Sequence, residues 1–526
     1  FNESHKIDAY IGLESIKQFG EYFGASRNGY AFEVVPIMSY LDLGDPTKVS
    51  NYGSVGNDYT LSSQFGKFNY SYEGKYLLQL IVRNDASSRF LSASRNAFFP
   101  AASFGWRLSE EKFIKDQLPF FNDLKLRFGW GKTGNQKIGK YNAYTTYRSD
   151  IYHAGYPIDG NQTTPTIGYD ASAFGNPNAK WESTTSTNIG LDAALFGSKL
   201  TFELDIWNRK TTDMLFTTPI TFTAGDATAP AFNVGGMTNK GVDFGVNYKN
   251  SVGDFRYGIG ANFSTYRNNV DKLDASPNTR YFGYGSRVPA VTVTQAGLPV
   301  SSFYGYKVLG LFQSDDEAKA WPAYGDYNKA GKFKIADING DGKITDDDRT
   351  IIGNPHPDFT YGLNINLGYK NWDLAVFAQG SQGNEIFNYQ KFWTDFNTFQ
   401  GNRSKDMLYN SWKKPGDNAL LPRLNSQDGT SQQISSYFVE DGSYMRIKNI
   451  QLTYSFPAAW VQKIKLSSAQ IYIQGQNLFT FTKYKGLDPD INLRTSGNDN
   501  QDTHMGIDEG AFPVAKSYNV GVRIGF

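Results

Sequence analysis

A strict two-residue alternation recurs along this chain and narrows its folding options more than any motif does. In "FTYGLNINLGY", Phe359, Tyr361, Leu363, Ile365, Leu367 and Tyr369 alternate with Thr360, Gly362, Asn364, Asn366 and Gly368. Successive side chains of an extended strand point to opposite faces, so one face is apolar and the other polar or bare. "LTFELDIW", "GVDFGVNY", "DFRYGIGANFS" and the closing "SYNVGVRIGF" repeat the pattern. The apolar face of 359–369 carries aromatics at both ends and aliphatics between them, as expected of a transmembrane strand with interfacial aromatic girdles. Its polar face is Asn, Thr and Gly, which suits a crowded, hydrated barrel interior better than the outer face of a soluble sandwich.

Connections alternate in length, as outer-membrane barrels require. Short turns are read at "YEGK" (72–75), "FGSK" (196–199), "SVGD" (251–254) and "YKNW" (369–372). Long polar stretches fall near 132–180, 210–232, 267–356, 384–440 and 482–514. The strands between them number about fourteen, an even count that puts both termini on the short-turn, periplasmic side. "YMRIKNIQLTYSF" changes phase between Ile447 and Ile450, which reads as a β-bulge. No run of about 18 apolar residues occurs, so a closed barrel is the remaining way to span a bilayer. The expected fold class is therefore all-β: a transmembrane antiparallel β-barrel.

Composition removes several functions. Lys plus Arg (52) nearly balance Asp plus Glu (51), so no basic surface for nucleic acid is indicated. Without cysteine there is no disulfide framework and no thiolate metal site. His5, His153, His356 and His504 are widely separated and lack metal-ligand spacing. No nucleophile elbow of the GxSxG type is present, and Asp315, Asp316 and Glu317 read as a solvated loop face. An enzyme is not expected.

Three groups of residues carry site expectations. "DINGDGKITDDD" places Asp337, Asn339 and Asp341 at positions 1, 3 and 5 of an EF-hand-like loop, with Gly342 at 6, Lys343 offering a carbonyl at 7 and Asp348 at 12. Such oxygens would hold Ca²⁺ as a structural ion, although Asp348 stands where a bidentate Glu is usual. An Asx-rich turn before a strand is the competing reading. The loop aromatics Trp321, Tyr324, Tyr327, Phe392, Trp393 and Phe396 are candidate contacts for a ligand or a lid, or else the loops' own small cores. Tyr518, Val520, Val522, Ile524 and Phe526 form a terminal alternating strand that resembles the assembly signal of outer-membrane barrels.

Several stretches resemble the SusC/RagA-like family of TonB-dependent outer-membrane transporters. "FGKFNYSYEGKYLLQLIVRNDASSRF", "LKLRFGWGKTGNQKIG", "NPNAKWESTTSTNIGLD", "MTNKGVDFGV", "DINGDGKITDDDRTIIGNPHPDFTYGLNINLGYKNWDLAVFAQGS" and "YMRIKNIQLTYSFP" follow one another in the family's order. The resemblance implies a barrel of roughly 22 strands, of which residues 1–526 would supply about the last fourteen. The plug, the TonB-contacting segment and the first strands would be absent, and 267–356 would be a long extracellular loop holding the EF-hand-like segment 337–348. It also implies TonB-dependent active import of an oligosaccharide or peptide across the bacterial outer membrane. A SusD-like surface lipoprotein would serve as lid, and the TonB complex would engage through the absent N-terminal half. Outer-membrane lipid would surround the strands, and pairing of two transporter–lid units is a further expectation. A passive fourteen-strand porin is the alternative.

Overall fold

The computed structural model describes all residues except 1–3, 31–39, 57, 140, 159, 161–162, 164, 218–219, 221, 274–278, 284–289, 399 and 492–502. Among the described residues, fourteen strands form one sheet in which each strand pairs with the next along the chain. They are β1 (His5–Gln18), β2 (Tyr59–Tyr72), β3 (Tyr76–Ser87), β4 (Asn96–Arg107), β5 (Phe121–Asn135), β6 (Glu182–Leu195) and β7 (Leu200–Thr212). There follow β8 (Gly236–Val252), β9 (Phe255–Lys272), β10 (Phe359–Tyr369), β11 (Trp372–Gln382), β12 (Tyr444–Ser455), β13 (Ser468–Thr482) and β14 (Ser517–Gly525). Every pairing is antiparallel. Each interior strand thus satisfies its backbone N–H and C=O groups on both sides, which a hydrocarbon environment demands.

The apolar faces stay exposed. Ile11 is 91% and Val520 76% accessible, a cost that water would impose but lipid does not. Register aligns the aromatics into rows. Near the short turns Phe255, Tyr369, Trp372 and Tyr454 are successive partners across β9–β12, and Tyr72, Tyr76 and Trp106 stack across β2–β4 with centroids 6.3 Å apart. Phe359 and Phe263 pair at 5.2 Å toward the other end. Phe359 to Tyr369 covers about 33 Å of strand, or about 25 Å along the membrane normal at a tilt of about 40°, matching an outer-membrane apolar band.

Connections at one rim cover 73–75, 108–120, 196–199, 253–254, 370–371 and 456–467; those at the other cover 19–58, 88–95, 136–181, 213–235, 273–358, 383–443 and 483–516. The five long stretches read from the sequence are recovered within a few residues. The connection 19–58 escaped that reading because its hairpin, Glu21–Arg27 against Val49–Val55, alternates like the barrel strands. The expected bulge is real: register shifts between Ile447 and Asn449 against both neighbouring strands, Lys448 being the extra residue against β11, whereas on the β13 side two residues, Asn477 and Leu478, oppose it. Strand β14 carries Tyr518, Val520, Val522 and Ile524 exposed on one face, and Phe526 just beyond it is 97% exposed. Among the described residues β1 and β14 are each paired on one side only, so the sheet is open rather than closed on itself.

This assignment of faces is testable on β10. In the full-length protein folded into lipid vesicles, Ile365→Arg should destabilise by about 2–4 kcal/mol, the usual cost of a cation on the lipid face near mid-membrane. Asn366→Arg, one residue on, should change the urea midpoint little. Equal effects would mean the faces are misassigned.

Candidate functional site

The long connections fold against one another above the sheet. Buried Val291, Phe303, Tyr306, Phe333, Ile335 and Ile344 of 273–358 pack with Phe387, Tyr389, Phe392, Phe396, Ile434 and Phe438 of 383–443 in a single core. Ile507 of 483–516 joins its edge, and the pair Ile507–Asp508 runs parallel to Glu385–Asn388. Charges lock the loops together. The buried Lys332 and Asp428 form an ion pair between the first two connections. Lys391 meets Glu440 at 3.0 Å and lies 4.2 Å above the Tyr437 ring. Tyr437 Oη donates to Asp395 Oδ2 at 2.5 Å, and burial, reinforced by that carboxylate, pushes the phenol well above its ordinary range. A second core of Phe90, Phe99, Ile138, Ala179 and Trp181 ties 88–95 to 136–181.

Where connection meets barrel, Arg446 on β12 is almost fully buried. It donates to Thr480 Oγ1 on β13 at 2.8 Å, to Asp490 Oδ2 at 3.3 Å, and to Asp488. Asp488 also accepts the N–H groups of Asp490 and Val514, so one guanidinium anchors the connection 483–516 to the strands that bound it. Burial opposes ionisation of Asp488, yet those N–H groups and Arg446 outweigh it and hold the carboxyl below its usual range. Sequence reasoning missed this node, since Arg446 sits in the bulged strand and its acidic partners, Asp488 and Asp490, lie more than 40 residues on. Elsewhere burial lowers His356, whose Nε2 lies 2.9 Å from Val300 O and Nδ1 3.0 Å from Tyr266 Oη.

The aromatic candidates sit in this loop assembly. Phe392 and Phe396 are 3% and 5% exposed, so the expectation that they offer faces to a ligand is corrected: they are core. Tyr324, Tyr327 and Trp393 pack half-buried against that core. Tyr327 Oη is 2.9 Å from Ser431 Oγ and accepts Phe333 N–H at 3.0 Å. Trp321 donates to Ile335 O at 2.7 Å and carries Lys334 Nζ 4.1 Å above its ring. An aromatic in a polar loop is a dual signal, and here packing accounts for most of it.

The 337–348 segment folds as consecutive Asx turns. Asp337 accepts Gly340 N–H at 2.7 Å and Gly342 N–H at 3.0 Å; Asn339 accepts Asp341 N–H and Asp341 accepts Lys343 N–H. Both glycines take positive φ, 75° and 80°, which the tight turn requires. Asp348 is fully buried and turns inward, accepting Ile338 N–H at 2.8 Å and Thr345 N–H at 2.7 Å. It serves as the hub that closes the loop, with both carboxylate oxygens taken up by backbone N–H groups. Among the described residues no group of three or more His, Asp or Glu converges as a metal cluster.

A cavity of 640 Å³ opens among four long connections, with Tyr141, Phe174, Thr217, Phe282 and His504 in its wall. Each connection contributes only a few residues, so no local sequence signal marks it. Below the loops, the polar face of β3–β7 is charged and internally paired. Arg127 bridges Asp192 at 2.7 Å and Asp205 at 3.0 Å, and Lys125 adds a contact to Asp192 at 3.1 Å. Arg83 joins Asp85 to Glu14 of β1.

Residues 4–380 match the family model described as TonB dependent receptor-like, beta-barrel. The chain is 32% identical to TonB-dependent receptor P3 of Formosa agariphila, over 97% of this chain and 51% of that protein. It is 30% identical to TonB-dependent receptor SusC of Bacteroides thetaiotaomicron, over 96% of this chain and 48% of that one. The solved RagAB peptide transporter superposes with a TM-score of 0.81 at 27% identity, covering 100% of this chain and 54% of its counterpart. The chain thus spans about half the length of the relatives it matches.

The Asp348 hub generates a prediction. Burial pushes its carboxyl up, but backbone N–H bonds from Thr345 and Ile338 outweigh this and hold it below its usual value of 3.8. A depressed carboxyl stabilises above its unfolded pKa, and that contribution is lost as pH falls through the lower folded value. Limited proteolysis of 337–349 should therefore be slow at neutral pH and accelerate below pH about 4. Asp348→Ala should be cut rapidly at all pH values while the barrel stays intact; an equally resistant variant would remove the hub assignment.

Proposed function

The chain belongs to the TonB-dependent receptor β-barrel family, and we propose that it forms the larger part of the barrel of an active importer. The family is one of outer-membrane β-barrels, and these strands cross the bacterial outer membrane. The observation that carries the import reading is the open fourteen-stranded meander beneath a cross-linked loop assembly. A passive porin of fourteen strands would need a ladder between β1 and β14. An importer instead takes further strands and a plug from the same polypeptide, in keeping with relatives about twice as long.

In this reading TonB engages through the N-terminal half, and the long connections meet a SusD-like lipoprotein lid, with ligand held between loops and lid. Half-buried Trp321, Tyr324, Tyr327 and Trp393 are the aromatic contacts of choice, because Phe392 and Phe396 are committed to the core. The ligand class is an oligosaccharide or a peptide; the peptide arm draws on the likeness to the RagAB peptide transporter and the glycan arm on that to SusC. Pairing of two transporter–lid units belongs to the same proposal.

Ca²⁺ is a separate, structural part of it. Asp337, Asn339 and Asp341, with the Lys343 carbonyl, would hold the ion through oxygens that retain a free lone pair, and the ion would stiffen the turn. Millimolar Ca²⁺ should then slow proteolysis of 337–349 relative to EDTA, whereas no difference would remove the ion.

For the main reading, cells making the full-length protein should accumulate labelled oligosaccharides or peptides in the periplasm. Uptake should cease on deletion of TonB or addition of a protonophore. Uptake that persists without TonB would support the porin instead.

A further inference from the structure

The connection 456–467, between β12 and β13 at the short-turn rim, shows more apolar surface than its own packing uses. It folds as the helix Ala458–Val461 followed by a 3-10 turn over Gln462–Ile464. Val461 is buried and Leu466 half-buried, and Leu466 N–H closes onto Val461 O at 3.2 Å. These two residues hold the segment against the barrel. Trp460 and Ile464 are left 62% and 66% exposed, a cost in water that nothing in the turn requires.

That surface continues the lipid face. Tyr369, Trp372 and Tyr454 are successive register partners at the short-turn end of β10–β12. Trp372 meets Tyr454 at 4.8 Å, and Tyr454 meets Phe456 edge-on at 5.2 Å, so the aromatic row runs off the strand end into the connection. The neighbouring turn 370–371 is tied to it, since Ser455 donates its N–H to Asn371 O at 2.9 Å. The ladder places no further strand here: β12 and β13 pair with each other and are flanked by β11 and β14. A plug would lie against the opposite, polar face.

Charge sets this sector apart. The connection carries Lys463 and Lys465 and no acidic residue, and Lys370 adds a third cation from the adjoining turn. All three are exposed, and among the described residues none is paired with a carboxylate. Of the acidic residues at the adjoining turns, Asp373 is taken by Arg256 at 2.9 Å, and Asp254 meets Lys370 through backbone only, its carbonyl accepting the Lys370 N–H at 3.3 Å. The connection 108–120 at the same rim is the contrast. Its exposed Phe113 stands in a stretch with Glu110, Glu111, Lys112, Lys115 and Asp116, and Glu110 pairs with both Arg107 and Lys115.

We infer that 456–467, together with Lys370, is a foothold on the periplasmic leaflet of the outer membrane that selects anionic phospholipid. Trp460 and Ile464 enter the interface beside Phe456, where an indole and an aliphatic side chain are both stable. The lysine stems lie along the same apolar layer and carry their ammonium groups to the lipid phosphate. Each lysine close to an anionic surface favours it several-fold, whereas the carboxylates of 108–120 offset the cations beside them. The foothold fixes the level in the bilayer of β12 and β13, the two strands that Arg446 joins to the connection 483–516. The inference rests on the assignment of the lipid face and the short-turn rim, and is independent of what is imported.

The test uses the full-length protein with para-benzoylphenylalanine in place of Trp460, folded into vesicles of equal parts phosphatidylglycerol and phosphatidylcholine. After irradiation, adducts are identified by mass spectrometry. Phosphatidylglycerol adducts should exceed phosphatidylcholine adducts about tenfold. Lys463→Gln/Lys465→Gln should bring the ratio close to one, and Lys463→Arg/Lys465→Arg should keep it. Heat-modifiable migration on gels must match wild type in both variants, which separates a lost foothold from a misfolded barrel. The same probe in place of Phe113 should show no preference between the two lipids. Equal labelling of both lipids from position 460, or a preference that survives the Gln pair, overturns the selection of anionic lipid by these lysines. Adducts to peptides of the N-terminal half, or no lipid adduct at all, overturn the foothold while leaving the barrel assignment and the import reading intact.

Discussion

Backbone hydrogen bonding is the constraint on which everything else in this protein depends. In hydrocarbon an unpaired N–H or C=O costs several kcal/mol, so strands must be laid side by side with no internal gaps. The uninterrupted order of fourteen antiparallel neighbours meets that demand, and the period-two alternation follows from it. Once each strand crosses lipid on one face, the sequence must place apolar residues at every second position. The register shift in β12, at Lys448, lies next to Arg446. The bulge advances the phase by one residue, so Arg446 can share the polar face with Asn449 while Ile447 and Ile450 stay on the lipid face. Without it, the residue that anchors 483–516 would point into the membrane.

The same logic explains what could be read from the residues alone. A pattern enforced by two solvents along every strand leaves a signal of ten or more residues, so β10 was legible nearly to its ends and the phase change in β12 was visible as such. Loops obey no such rule. Phe392 and Trp393 look alike in sequence, yet the first is core and the second half-buried: Phe392 stacks on Tyr389 at 5.1 Å while Trp393 meets the same ring edge-on at 6.1 Å, an arrangement fixed by tertiary packing. Asp348 was legible as position 12 of a loop but not as its hub. Which way a carboxylate turns depends on the N–H groups that reach it, and the backbone of 338–345 had to be in place first. The hairpin in 19–58 misled for the opposite reason, since extended structure outside the membrane alternates as well.

The polar face shows a division that strand periodicity does not require. Any hydrophilic residue would satisfy a hydrated interior, yet β3–β7 use Arg, Lys, Asp and Glu in ion-pair groups, while the middle of β8–β11 carries Asn, Gln and Gly, with Asp243, Lys249 and the Arg256–Asp373 pair at its ends. Paired charges hold a wall rigid through specific partners, as Arg127 does across β5, β6 and β7.

Those two walls connect differently to the loops above them. Arg446 binds the amide side to the connection 483–516, and the parallel pairing of Ile507–Asp508 with Glu385–Asn388 carries that link into the core shared by 273–358 and 383–443. Tyr484 Oη donates to the buried Asp508 at 2.6 Å within the same chain of contacts. Asp508 in turn accepts Gln390 Nε2 at 2.7 Å, which brings the Gln390–Thr394 helix, and with it Phe392, into the path. The charged wall meets its own loops through the separate core around Trp181, whose indole donates to Arg95 O at 2.9 Å.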